Sequence, residues 1–344
     1  MRVAITAWSA QSAHSGGKSG FAGAVNRRRS AVADDRAVLA DFDAREALGR
    51  KGTRSMDRLT GLAVHTVGGL LAEHAPERGA SWSTDTALVL GTTTGSAESM
   101  MEFTRSALEG ERPYHVDPAR FPNTVMNCAA GQCAIWHGIR GPNTTLAGGH
   151  ATGLHALTFA RRLLDRGRAR RVICGGVEEH SAARRDLERH ASGAHAPLGE
   201  GCAVQVIEPA GAPGALAEVL AVTSAVATGP ATAGVLRERL RVATAAAGVA
   251  PSEVWAVAPS TARGPAAADE AAVLAELFPR ARRVALGLGD LSSASVAFQL
   301  AALLAVADAD PDAAGRVAAV TAVEPGGVVA CALLRCAGER PPAD

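Results

Sequence analysis

Histidine and lysine run out well before the chain does. The last of ten histidines is His195, the lysines are Lys18 and Lys51, and residues 196–344 contain neither type. That stretch therefore supplies no imidazole base and no amine to any site. No CxxC pair occurs, so the six cysteines (128, 133, 174, 202, 331, 336) are expected to be free thiols in a reducing cytoplasm. No uninterrupted apolar run reaches about 18 residues, and no membrane span is expected. The opening MRVAITAWSA lacks the order of basic region, apolar core and cleavage site, so no secretory leader is expected. Neither sign of charge is in excess. The net charge of +1 gives no global pull toward nucleic acid or membrane. GxGxxG, P-loop and HExxH motifs are missing, and neither cofactor nor metal is expected.

What is present suffices for a sizeable core. Hydrophobic residues make up 47% of the 344, enough for one large or two medium domains. Strands and helices alternate. Strands are expected at 2–8, 86–90, 144–147, 171–174, 202–207, 217–226, 254–258 and 283–288. Helices are expected at 54–73, 96–108, 124–139, 150–164, 232–247, 266–277 and 293–306. A hairpin over 316–335 turns at Gly326-Gly327. Such alternation implies α/β layers. Gly211–Gly214 reads as a join between an N-terminal half, 1–210, and a C-terminal half, 211–344.

The stretch from Asn143 to Glu179 organises the rest. Thr144–Ala147 is extended, Gly148-Gly149 turns, and His150–Leu164 carries Leu154, Leu157, Ala160, Leu163 and Leu164 at helical spacing. A strand then runs into Gly175-Gly176. A helix N-terminus favours developing negative charge, and an acyl-transfer enzyme places its nucleophile at such a turn. Here the residue is His150.

This frame resembles the β-ketoacyl synthases of fatty acid and polyketide synthesis. In that family the turn reads Ala-Cys-Ala-Ser-Gly or close to it, followed by a long helix, a strand and Gly-Gly-x-Glu. This chain has Gly149-His150-Ala151-Thr152-Gly153 and Gly175-Gly176-Val177-Glu178, preceded by NCAAGQCAIWHGIRGP at 127–142. The resemblance implies an α/β thiolase-like fold of duplicated halves in αβαβα layers. It also locates what is missing. The family's cysteine nucleophile is replaced. Its two histidines and lysine come from the second half, where this chain has Pro259-Ser260-Thr261-Ala262-Arg263 and GLGDLSSAS at 287–295, around Ser293. A nucleophile and its electrostatic stabilisers act together, and all are lost together.

The sequence is thus similar to a chain-length factor, the non-catalytic partner of a ketosynthase in type II polyketide systems. Aromatic-polyketide members usually carry Gln at the nucleophile turn, so a reduced or polyene product is open. The resemblance implies a ketosynthase partner in a heterodimer and an acyl carrier protein bearing the chain, with Thr144–Ala147 pairing across the interface. It also implies that the helix over 96–108 closes the acyl tunnel. Ser96, Ser99 and Phe103 share a face there; the serines leave room, and Phe103 with Met100 sets the stop. Two alternatives stay open: a divergent acyltransferase or hydrolase using His150, and a lone thiolase-fold scaffold or binding protein.

Several residues have plainer readings. His150 is expected to be a space filler, kept neutral because the helix dipole disfavours imidazolium. Cys174, Cys128 and Cys133 read as buried core thiols. Ser292 or Ser293 reads as a helix N-cap. Glu178-Glu179-His180 reads as a solvated or interface turn rather than a metal site, since adjacent residues do not share a helix face. Arg161, Arg162, Arg166, Arg168, Arg170 and Arg171 read as a solvated helix end, with a docking patch for an acidic carrier protein as the alternative.

Overall fold

The computed structural model describes all residues except 35, 75–81, 193–196, 230 and 339–344. In chain order the elements are β1 (Val3–Ser12), α1 (Gly17–Asn26), β2 (Arg36–Ala37), α2 (Ala44–Leu48), α3 (Arg58–Glu73), β3 (Thr86–Thr92), α4 (Ala97–Glu109), α5 (Cys128–His137), β4 (Asn143–Ala147), α6 (Thr152–Asp165) and β5 (Arg171–Glu178). There follow α7 (Ala182–Ser192), β6 (Leu198–Gly199), β7 (Gly201–Pro209), β8 (Ala217–Val226), α8 (Thr232–Ala247), β9 (Val254–Ala258), α9 (Pro265–Leu277), β10 (Arg282–Arg283), α10 (Ser295–Asp308), β11 (Val317–Val323) and β12 (Val328–Cys336). Short 3-10 turns cover Pro118–Thr124 and Ser292–Ala294.

Ten strands form one sheet in the order β10-β9-β11-β12-β8-β1-β7-β5-β3-β4. Outward from the centre, the first half runs β1-β7-β5-β3-β4 and the second β8-β12-β11-β9-β10. With the small β2–β6 pair set aside, each half has its first, fifth, fourth, second and third strands in that order. The pairings also repeat: antiparallel, antiparallel, parallel, parallel. The two first strands meet antiparallel, Val3 against Val219. This is a duplicated plan with no detectable sequence repeat, and we propose the division 1–210 and 211–344 on its basis.

Strand alternation builds the layers. On β3, Ala87 and Val89 face the central core, while Leu88 and Leu90 face the outer one beneath α3 and α5. On β12, Ala330, Ala332 and Leu334 face the centre, and Val329, Cys331 and Leu333 face outward toward α8 and α9. The half-sheets therefore enclose α6 and α10, giving αβαβα layers. α10 is buried on every side from Ser295 to Val306, as a helix apolar on nearly every face must be, and its Gln299 donates to the carbonyls of Ala258, Pro259 and Thr321. Each of Leu300, Leu303 and Leu304 there contributes about 1.5–3 kcal/mol of burial.

Boundaries differ from expectation in physically informative places. The strand expected at 283–288 shrinks to the two residues of β10, because the glycine-rich stretch after it leaves the sheet. The helix expected from 124 starts at Cys128. Gly175-Gly176 does not end β5, which continues to Glu178; a Cβ on Gly176 would sit 2.8 Å from Ala294 Cα, so the glycine admits the Ser292–Ala294 turn. The polar helix α7 has a single short apolar stripe and was not anticipated. No helix among the described residues is long and apolar enough to cross a membrane.

Candidate functional site

The turn from β4 into α6 brings the two halves into contact. A Cβ on Gly149 would lie 2.8 Å from the carboxyl carbon of Glu324, so the glycine lets that side chain approach. Glu324, at the β11–β12 turn, accepts a hydrogen bond from the Ala151 N–H at 2.7 Å. It thereby occupies the anion niche at the start of α6. His150 is 8% exposed, and its Nε2 donates to Asp290 Oδ1 at 2.9 Å. Asp290 also accepts from the Ser292 N–H at 2.7 Å.

This geometry corrects the expectation of a neutral, space-filling imidazole. Burial alone would lower the pKa of His150, but the hydrogen bond and charge of Asp290, with Glu324 and Glu188 nearby, outweigh it and raise the pKa. Burial would likewise raise Asp290, yet its bond to His150 holds it below the usual carboxylate value. The pair is a close histidine–carboxylate contact that favours the imidazolium form. The helix dipole is outweighed by a carboxylate that comes from 140 residues away in the chain.

Neither Ser292 nor Ser293 caps a helix through its side chain. Ser292 accepts from Arg184 Nη2 at 3.1 Å, with a positive φ of 43°. Ser293 donates a short hydrogen bond to Glu178. Glu178 and Glu179 are 0% and 2% exposed, which overturns the solvated-turn reading. Glu178 Oε1 also accepts from the Thr93 N–H and hydroxyl, each at 2.7 Å, so it ties β5, the end of β3 and the 290–295 loop together. Buried Arg184 donates to the carbonyls of Glu179 at 2.5 Å and Gly199 at 2.9 Å. These buried charges carry no local motif; Arg184 in a polar helix and Glu324 in a Glu-Pro-Gly-Gly turn read as surface residues.

At the second-half positions the side chains satisfy one another. The Pro259 carbonyl accepts from Gln299 Nε2 at 2.6 Å, Ser260 donates to Glu270 at 2.6 Å, and the Thr261 and Ser295 hydroxyls lie 2.5 Å apart. Cys174 is buried in β5 with its thiol pushed up to about 12 by burial.

On α4, Ser96 is the N-cap and is bonded to Glu179 Oε2 at 3.0 Å, and Ser99 reaches Asp57 at 3.4 Å. Both hydroxyls face their own subunit. Met100 and Phe103 are half-buried, and the Phe103 ring meets Phe121 at 5.8 Å. Several large apolar side chains on α4, the Pro118–Thr124 turn and α5 are exposed: Leu108 80%, Phe121 58% and Ile135 77%. Strand β4 is an edge of the sheet.

Residues 2–204 match the model of the β-ketoacyl synthase N-terminal domain. A 147-residue segment is 31% identical to 3-oxoacyl-[acyl-carrier-protein] synthase 2 of Vibrio harveyi, covering 42% of this chain and 34% of that enzyme. The match thus spans about a third of that relative's length. Among solved structures, the ishigamide ketosynthase/chain length factor is similar with a TM-score of 0.90 and 38% identity, over 98% of this chain and 100% of that one. A β-ketoacyl synthase from Burkholderia phymatum STM815 has a TM-score of 0.81 at 19% identity, over 97% and 99% of the two chains. The second likeness speaks to the thiolase-like fold.

Proposed function

Because the chain belongs to the β-ketoacyl synthase family, we propose that it is a ketosynthase-like subunit that has become the chain-length factor of a type II polyketide synthase. The carrying observation is the nucleophile turn, where His150 is locked onto Asp290 in a chain whose residues 196–344 hold no His or Lys. An imidazole held by a carboxylate does not replace the cysteine that carries the acyl chain, and the second half supplies no imidazole to decarboxylate an extender. The subunit is non-catalytic and acts through shape.

Its partner is a catalytically complete ketosynthase in a cytoplasmic heterodimer, met through the β4 edge and the apolar surface of α4, Phe121 and Ile135. Obligate interfaces of this kind bury on the order of 2,000 Å² or more. An acyl carrier protein delivers the growing chain, and the arginines at the end of α6 offer it a basic surface. Met100 and Phe103 close the acyl tunnel, with Ser96 and Ser99 at the foot of the same helix; a reduced or polyene chain is the product favoured by the absence of Gln at position 150. Co-expression with the neighbouring ketosynthase gene and sedimentation of the product tests this: one species of summed mass is expected, and two non-interacting species would overturn it.

The His150–Asp290 pair also has the form of a base oriented by a carboxylate. This second reading, an acyltransferase or hydrolase, predicts turnover of acyl thioesters by the chain alone.

A further inference from the structure

Three helices begin at one point. α3 starts at Asp57, α4 at Ser96, and α7 next to Ser181. Two carboxylates, half-buried Asp57 and buried Glu179, are shared among them. Asp57 accepts from the Thr60 N–H at 2.7 Å and from Ser99 Oγ at 3.4 Å. Ser96 Oγ lies 2.9 Å from Ser99 Oγ and 3.0 Å from Glu179 Oε2. Glu179 Oε1 accepts from the Glu98 N–H and from Ser181 Oγ, each at 3.0 Å. Glu98 answers by accepting from the Ala183 N–H at 3.4 Å, so α4 and α7 cap each other. The positive ends of three helix dipoles converge on the two acids. Burial raises the pKa of both, opposed by these hydrogen bonds.

The junction matters most to α4. Of its 13 residues only Ala97 is buried, so little apolar burial fixes its course. Its far contacts, Phe103 on Phe121 and an exposed ion pair of Glu102 with Arg120 at 3.1 Å, are made to a turn whose Phe121 is itself 58% exposed. The foot of the helix is therefore its firm attachment. Phe103 stands about 10 Å along the axis from Ser96, at ~1.5 Å per residue. A tilt of about 10° at the foot would move Phe103 by about 2 Å, more than one carbon–carbon bond of ~1.5 Å.

We infer that Asp57, Ser96, Ser99 and Glu179 are positioning residues: their junction sets the pitch of α4 and so the length of chain that Met100 and Phe103 admit. This rests on the chain-length-factor reading. Asp57 and Glu179 touch no substrate in this scheme; they act through the helix.

The test uses the co-expressed ketosynthase complex, with hydrogen exchange over residues 97–105 and mass spectrometry of carrier-bound chains. Glu179→Ala should speed exchange of the first two turns of α4 by about tenfold, the ratio matching a lost helix cap, and broaden the product distribution toward longer chains. Glu179→Gln keeps an oxygen acceptor for the Glu98 N–H and should restore both readouts. Unchanged exchange in an intact complex overturns the inference. So does faster exchange with an unchanged product distribution. Phe103→Ala, run alongside, separates the two layers: if it alone shifts chain length, the chain-length reading stands and the junction inference fails; if neither variant shifts it, α4 as ruler fails as well. Should Glu179→Ala not assemble, Ser99→Ala removes one hydroxyl between the acids and is read by the same measurements.

Discussion

Removing the imidazole of His150 leaves the largely buried Asp290 without its charge partner. The two side chains are only 10% and 16% exposed. Breaking a buried pair from one side costs about 3–5 kcal/mol, because the remaining charge is uncompensated. The Ser292 N–H still serves Asp290, which favours the lower end. At ~2.1 cal/mol/K of unfolding entropy per residue, the 344-residue chain unfolds with about 0.7 kcal/mol/K, so the loss is a Tm decrease of about 4–7 °C. The pH dependence gives a sharper test. The folded pKa of His150 is raised, so its share of stability is complete below about pH 6.5 and fades as pH rises through the raised value. The folded pKa of Asp290 is lowered, so its share is present above about pH 4 and is lost as pH falls through the lowered value. The gap in Tm between the native chain and His150→Ala should therefore be widest near pH 5–6 and narrow toward pH 9. Calorimetric scans at a series of pH values measure it. A gap below about 1.5 °C at pH 6, equivalent to about 1 kcal/mol, or one that widens toward pH 9, would refute the buried ion pair.

In the ketosynthase complex, His150→Ala should leave turnover per assembled complex largely intact; a drop of ~100-fold or more would assign His150 an acid–base role instead. Phe103→Ala should lengthen carrier-bound products if the ring lines the tunnel, whereas loss of ~3–5 kcal/mol without a change in length would make it core. Gly149→Ala and Glu324→Ala should each lower stability by about 1–2 kcal/mol, by displacing or deleting the carboxylate that caps α6. The double variant, read by urea unfolding, should cost less than the sum, since both act on one hydrogen bond.

Sequence alone determined much of this protein. Periodicity located β8, α8 and β9 at their observed bounds, because long apolar patterns with period 2 or 3.6 have one way to bury a face. It also determined an absence that no folding can repair: a stretch without His or Lys supplies neither to a site. The turn at Gly149-His150 was legible as the centre, since a glycine pair between a strand and a helix is a local signal. What stands around that turn was decided by tertiary structure. Asp290 and Glu324 reach it from the second half, and only their arrival gives His150 a carboxylate partner and a raised pKa. Glu178 and Glu179 read as solvated charges because an ion is buried only when distant donors converge on it, and sequence distance hides that convergence. The duplicated strand order belongs to the same class: two halves without a sequence repeat share a plan because strand pairing depends on backbone hydrogen bonds, which leave no trace in residue identity.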